Sequence, residues 1–167
     1  MDWKREQACC FTGHRKIPPS HRLWLQCRLQ EAIASLADRG VDTFLAGGAL
    51  GFDTLAAQEV LRLRAAEFPQ LRLVLVLPCL GQEAYWKPED AALYQDLLRQ
   101  ADEAIYTADT YSRWCMFQRD RYLVDHSAYC VCYLVQERGG TAYTAQYARE
   151  QGLAVRNLAE LVQNPEK

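Results

Sequence analysis

Short apolar runs alternate with longer stretches of helical periodicity along the whole chain, and this alternation restricts the fold more than any other feature. Strand, helix and strand in succession build a parallel sheet, and both faces of such a sheet must be covered. The runs at 8–11, 43–46, 71–77, 104–106 and 129–135 read as strands, with a last short one near Val155. Residues 71–77, Leu-Arg-Leu-Val-Leu-Val-Leu, are almost continuously apolar, as a strand buried on both faces must be, and Pro78 closes the run. Helices are expected over 20–39, with Leu25, Leu29, Ile33 and Leu36 on one face and Gly40 at the end. Others are expected from a cap at Asp53 or Thr54 to about Glu67, and over 89–100, 113–125 and 141–151. The expected fold class is α/β, a Rossmann-like three-layer sandwich with a mostly parallel central sheet flanked by helices, in one domain over residues 1–167.

Half of the 167 residues are hydrophobic, enough to bury a core without disulfides or metals. The seven cysteines, at 9, 10, 27, 79, 115, 130 and 132, form no Cys-x-x-Cys pair, and most lie in apolar runs, so they read as buried thiols rather than metal ligands. A net charge of −2 argues against a protein that coats nucleic acid or an anionic membrane. No apolar run approaches the roughly 20 residues of a membrane span, and the start of the chain lacks the apolar core of a secretory signal, which points to the cytoplasm.

Ligands of open α/β sheets sit at the carboxyl ends of the strands, where helix N-termini converge. Three glycine-bearing turns fall there. Thr12-Gly13-His14-Arg15 follows the first strand and brings a hydroxyl, a close-approach backbone position, an imidazole and a bidentate guanidinium, a set that suits an anion. Gly47-Gly48-Ala49-Leu50-Gly51-Phe52-Asp53 joins a strand to a helix, where free N–H groups favour phosphate. Its spacing is neither the dinucleotide fingerprint nor a Walker A loop, and Asp53 reads first as a helix cap, with the ribose-hydroxyl acceptor as the alternative. Arg138-Gly139-Gly140-Thr141 opens the last helix. Each turn alone is also what loop closure requires. Trp114, Gln118, Arg121 and Asp125 recur at spacings of four, three and four, giving a helix face that is either a ligand wall or merely solvated. Tyr85, Trp86 and Tyr111 offer surfaces on which a base could stack, or pack as ordinary loop aromatics, and His126 reads as structural.

These motifs together resemble the YpsA-like branch of the SLOG superfamily, Rossmann-like domains related to the DNA-processing protein DprA and to the Lonely Guy phosphoribohydrolases. The resemblance runs from the 12–15 turn through 47–53, Gln82, Trp86, 114–119 and 122–127 to 139–144. It implies a site for a nucleotide derivative, ADP-ribose-like or nicotinamide-dinucleotide-like. The phosphoribohydrolases carry Pro-Gly-Gly-x-Gly-Thr-x-x-Glu, whose Glu serves glycosidic cleavage, whereas Thr144 or Gln146 stands at that place here. The leading expectation is therefore binding or sensing of a small nucleotide-type ligand, with no metal or other cofactor required and self-association left open. The alternatives are an N-glycosidase using Asp53, Glu83 or Asp125, and single-stranded DNA binding through His14, Arg15, Lys16 and Arg113. The negative net charge and the four lysines (Lys4, Lys16, Lys87, Lys167) weigh against nucleic acid.

Overall fold

A computed structural model of the chain describes residues 2–160. Six strands, β1 (Ala8–Gly13), β2 (Thr43–Ala46), β3 (Arg72–Leu77), β4 (Glu103–Tyr106), β5 (Tyr129–Tyr133) and β6 (Ala154–Asn157), form one sheet in the order β4-β3-β2-β1-β5-β6. Every neighbouring pair is parallel. Five helices connect them: α1 (Pro19–Asp38), α2 (Phe52–Ala66), α3 (Pro88–Gln100), α4 (Cys115–Asp125) and α5 (Gly140–Glu150). The architecture is the expected Rossmann-like α/β sandwich.

Alternation along the strands supplies two cores. Cys9, Phe11, Leu73, Leu75, Leu77, Val131 and Tyr133 meet α1, α2 and α3 on one face. Ala8, Cys10, Val74, Val76, Cys130 and Cys132 meet α4 and α5 on the other. Successive side chains of a strand point to opposite faces, so a strand covered on both sides has to be apolar at every position. Among the described residues every cysteine except Cys27 is buried, in keeping with the reading of the thiols as small hydrophobes.

Element ends differ from the sequence reading where tertiary contacts override local signals. Neither Asp53 nor Thr54 caps α2. The cap residue is Gly51, and the helix begins at Phe52. Phe52 must enter the aromatic core, edge-on to Phe11 at 6.3 Å and stacked on Tyr133 at 6.0 Å, which draws the helix start back into the glycine turn. β5 stops at Tyr133, paired with Gly13, and not at Val135, because the Val135 N–H leaves the ladder to donate to His14. Gly40 ends α1 as expected: its N–H donates to Ala37 and that of Val41 to Leu36. Pro19 extends the helix by one residue, at a position that needs no N–H.

Candidate functional site

The chain winds outward from β1 through β2, β3 and β4, then returns to place β5 on the other side of β1. At such a reversal the flanking helices diverge to opposite faces and leave a crevice at the strand carboxyl ends. A cleft of about 430 Å³ opens there. Thr12, Gly13, His14 and Arg15 form one side, Arg138, Gly139, Gly140 and Thr141 the other, and Ala49, Asp53, Met116, Arg119 and Asp120 the remaining walls.

The first and third turns thus converge as expected, but their residues divide the work differently. His14 is a strut. Its Nε2 accepts the Val135 N–H at 2.9 Å, and its carbonyl accepts the Phe52 N–H at 3.1 Å, so the side chain ties the first turn to the end of β5. Accepting at Nε2 requires the neutral ring, and burial lowers the pKa from the usual histidine value, so His14 brings no positive charge at neutral pH. The cations facing the cleft are Arg15, Arg138 and Arg119.

Glycines serve two purposes here. A Cβ on Gly13 would lie 2.3 Å from the Phe52 ring, and one on Gly48 would lie 2.5 Å from Leu77. Gly51 combines φ +79° with the Arg15 carbonyl oxygen 2.1 Å from where its Cβ would be. Neither Gly47, Gly48 nor Gly51 lines the cleft, so the glycines of the second turn are packing residues, and the turn reaches the site only through Ala49 and Asp53. Gly139 and Gly140 are the opposite case: both are exposed, and a Cβ on either would meet nothing within 4 Å. The start of α5 is therefore left uncovered at the cleft.

Beneath the cleft lies a buried charged network. Arg119 donates from Nη1 to the Gly47 carbonyl and from Nε to Asp120 at 2.7 Å. Asp53 accepts the Ala49 N–H at 3.3 Å. A Cβ on Gly47 would be 2.6 Å from Arg119 Nη1 and 2.8 Å from Asp53 Oδ2, so the bare backbone there makes room for both the guanidinium and the carboxylate. Burial pushes the Asp53 carboxyl up to about 6, Asp120 adds to the rise, and Arg119, the Ala49 N–H and Arg15 oppose it.

The sign of this shift gives a prediction. Below the ordinary value of 3.8 both folded and unfolded chains hold the proton; between 3.8 and about 6 the unfolded chain releases it first, so this group's contribution falls as pH rises. His14 acts oppositely, losing stability as pH drops below 6.5. Asp53→Asn removes only the first effect. In urea unfolding, the variant should therefore gain about 2 kcal/mol on the parent between pH 4 and pH 7. A pH-independent difference would mean that Asp53 titrates normally.

A second hollow of about 410 Å³ adjoins the cleft, sharing Arg15 and Met116 with it. Cys79, Gln82, Tyr85, Trp86 and Tyr111 line it. Trp86 stands edge-on to Tyr94 at 5.4 Å, and Gln82 donates to the Gly48 carbonyl at 3.3 Å. Trp86 and Tyr111 are thus brought near the polar cleft, as the stacking expectation requires.

The face of α4 carrying Trp114, Gln118, Arg121 and Asp125 is not. All four are exposed on the outside, where Arg121 donates to the Tyr143 hydroxyl at 3.1 Å and Asp125 accepts from Tyr147 at 2.6 Å. The inward positions are Cys115, Arg119, Leu123 and Val124, and Met116, Arg119 and Asp120 form the cleft wall. The missed signal lay in the periodicity: positions 115, 119 and 123 form one apolar row, and a charged Arg119 within it needs a buried partner. Thr144 is buried and donates to the Gly140 carbonyl at 2.8 Å, while Gln146 bonds Glu150. Of the carboxylates considered for catalysis, Asp53 lines the cleft and Glu83 and Asp125 do not; Asp120, not considered, does. Arg113 lies 4.6 Å over the Trp114 ring, away from the cleft.

Fold and crevice define a doubly wound α/β protein of Rossmann type with a cleft at the reversal of strand order. The model of the YspA SLOG family, YpsA, matches residues 20–162, and the chain belongs to this family. Among similar proteins, the Bacillus subtilis UPF0398 protein YpsA is 28% identical over 134 residues, covering 77% of this chain and 74% of that one. A UPF0398 protein of Brevibacillus brevis is 29% identical over 101 residues, 59% of this chain and 53% of that protein, so the matched region spans about half of that relative's length. Among solved structures, DNA processing protein A from Helicobacter pylori, described by its single-stranded DNA binding mode, superposes with a TM-score of 0.63 at 15% identity over 97% of this chain and 74% of that one. At such identity the likeness is one of fold. Even so, the argument from charge against nucleic acid finds no support among the fold neighbours. No helix among the described residues is long and apolar enough to cross a membrane.

Proposed function

We propose that this protein binds a phosphate-bearing nucleotide derivative across the cleft and the adjoining aromatic hollow. The observation that carries the reading is the open backbone of Gly139 and Gly140 at the start of an 11-residue helix, facing a cleft that also holds Arg15 and Arg138. Free N–H groups and the positive end of the helix dipole favour an anion at that place, and guanidinium forks add charge-assisted hydrogen bonds. The hollow behind Arg15 receives the base, against Trp86 and Tyr111. On this reading Asp53 and Asp120, in the cleft wall, accept ribose hydroxyls.

Calorimetric titration with inorganic phosphate, AMP, ADP and ADP-ribose tests this reading, with a single-stranded oligonucleotide alongside because the Helicobacter pylori fold neighbour is described as binding single-stranded DNA. Affinity is expected to rise from phosphate to the nucleotides. Arg15 and Tyr111 are both exposed, so Arg15→Gln and Tyr111→Ala should leave melting unchanged. Each should weaken nucleotide binding about tenfold, the size of a lost charge-assisted bond or stacking contact. Arg15→Gln should also weaken phosphate, and Tyr111→Ala should not. No heat with any ligand at millimolar concentration contradicts the proposal.

A further inference from the structure

The outward face of α4 is built unlike a solvated helix face. Its sequence, Cys-Met-Phe-Gln-Arg-Asp-Arg-Tyr-Leu-Val-Asp, contains no Lys or Glu, and Trp114 and Phe117 remain 54% and 39% exposed beside it. These side chains are already ordered against one another. Trp114 lies 5.9 Å from Phe117, and Phe117 stands perpendicular to Tyr143 at 5.0 Å. Arg121 sits over Tyr147 at 5.1 Å while donating to Tyr143. A stripe of exposed Trp114, Phe117 and Arg121 with half-buried Tyr143 and Tyr147 has the composition of an interface centre, and its prior ordering removes much of the entropic cost of association.

The charges say what covers it. Arg113 precedes the N-terminus of α4 and Asp125 is its last residue, so each stands at the end of the helix dipole that disfavours it. No acidic residue occupies the first turn and no basic residue the last. An antiparallel copy of the same helix reverses both penalties: it sets Arg113 beside Asp125 of the partner subunit at either end, and Phe117 against the partner's Arg121 near the middle. The face is complementary to itself, as a two-fold interface requires.

We propose that two copies of this chain associate through α4, packed antiparallel about a two-fold axis, with Phe117 near the centre and Trp114 toward either end. Arg119 lies with Cys115 and Leu123 on the inward side of the same helix, turned away from the stripe and into the cleft wall. A helix of 11 residues is about 16 Å long and supports a contact at the small end of specific interfaces.

Sedimentation of the full chain tests this. The expected result is a mass that rises with concentration from 19.1 kDa toward twice that value. Trp114→Ala should raise the dissociation constant at least tenfold with unchanged circular dichroism. Arg113→Asp and Asp125→Arg should each weaken the dimer, and the two together should restore it. Tyr147→Phe, which removes only the internal bond to Asp125, should leave it intact. A monomer at every concentration up to about 1 mM overturns the proposal. So does a dimer indifferent to Trp114→Ala, or a charge-reversed pair that fails to re-associate. A monomer whose oligonucleotide binding depends on Trp114 would assign the stripe to nucleic acid and likewise overturn it.

Discussion

Gly51→Ala is expected to cost roughly 3–5 kcal/mol of stability, while Gly140→Ala leaves melting unchanged or slightly raised. At Gly51 two penalties add. Its φ of +79° is one that residues with a side chain rarely adopt, and the added methyl would meet the Arg15 carbonyl oxygen at 2.1 Å. That obstacle is backbone, held in the first turn by the contact of His14 with Phe52, so it cannot swing aside as a side chain would. Gly140 is the first residue of α5, with nothing within 4 Å of its missing Cβ. Its methyl would instead project into the space over the helix N-terminus, so the substitution should weaken phosphate and nucleotide binding. Denaturant melts of both variants, followed by titration of the folded one, separate the glycines that pack from those that face the ligand. Equal destabilisation by both would remove the distinction on which the site was built.

Arg119→Met is expected to destabilise the chain by about 3 kcal/mol, lowering the melting temperature by roughly 6–12 °C. The loss comes less from the missing bonds than from what remains: a buried Gly47 carbonyl without its donor and a buried Asp53 without its nearest positive charge. The same substitution in the Asp53→Asn background should cost clearly less, since no buried carboxylate is then stranded. A double-mutant cycle in urea measures that coupling. If Arg119→Met costs the same in both backgrounds, the guanidinium supports only the Gly47 turn and does not offset the burial of the Asp53 carboxylate.

How legible this was in the sequence varied with what each residue touches. The strands and helices were readable because burial on both sides of a parallel sheet makes runs such as Leu73–Leu77 apolar throughout, while the helices keep a single apolar row. Their ends were less so: Phe52 starts α2 because of Phe11 and Tyr133, which are distant in sequence. The crevice was readable from turns at strand ends. The roles inside it were not. A glycine that admits Arg119 to a carbonyl and a glycine that faces open space have the same letter, and His14 resembles an anion ligand until its Nε2 is seen to accept an N–H. On α4 the large and charged side chains drew attention to the outward face, although the apolar row containing Arg119 marked the inward one.

The most direct test of the central claim is a crystal structure with AMP or ADP-ribose present. The phosphate is expected within hydrogen-bond distance of the Gly140 and Thr141 N–H groups and of Arg15, with the adenine against Trp86 and Tyr111. A nucleotide bound elsewhere, or an empty cleft at saturating ligand, would contradict it.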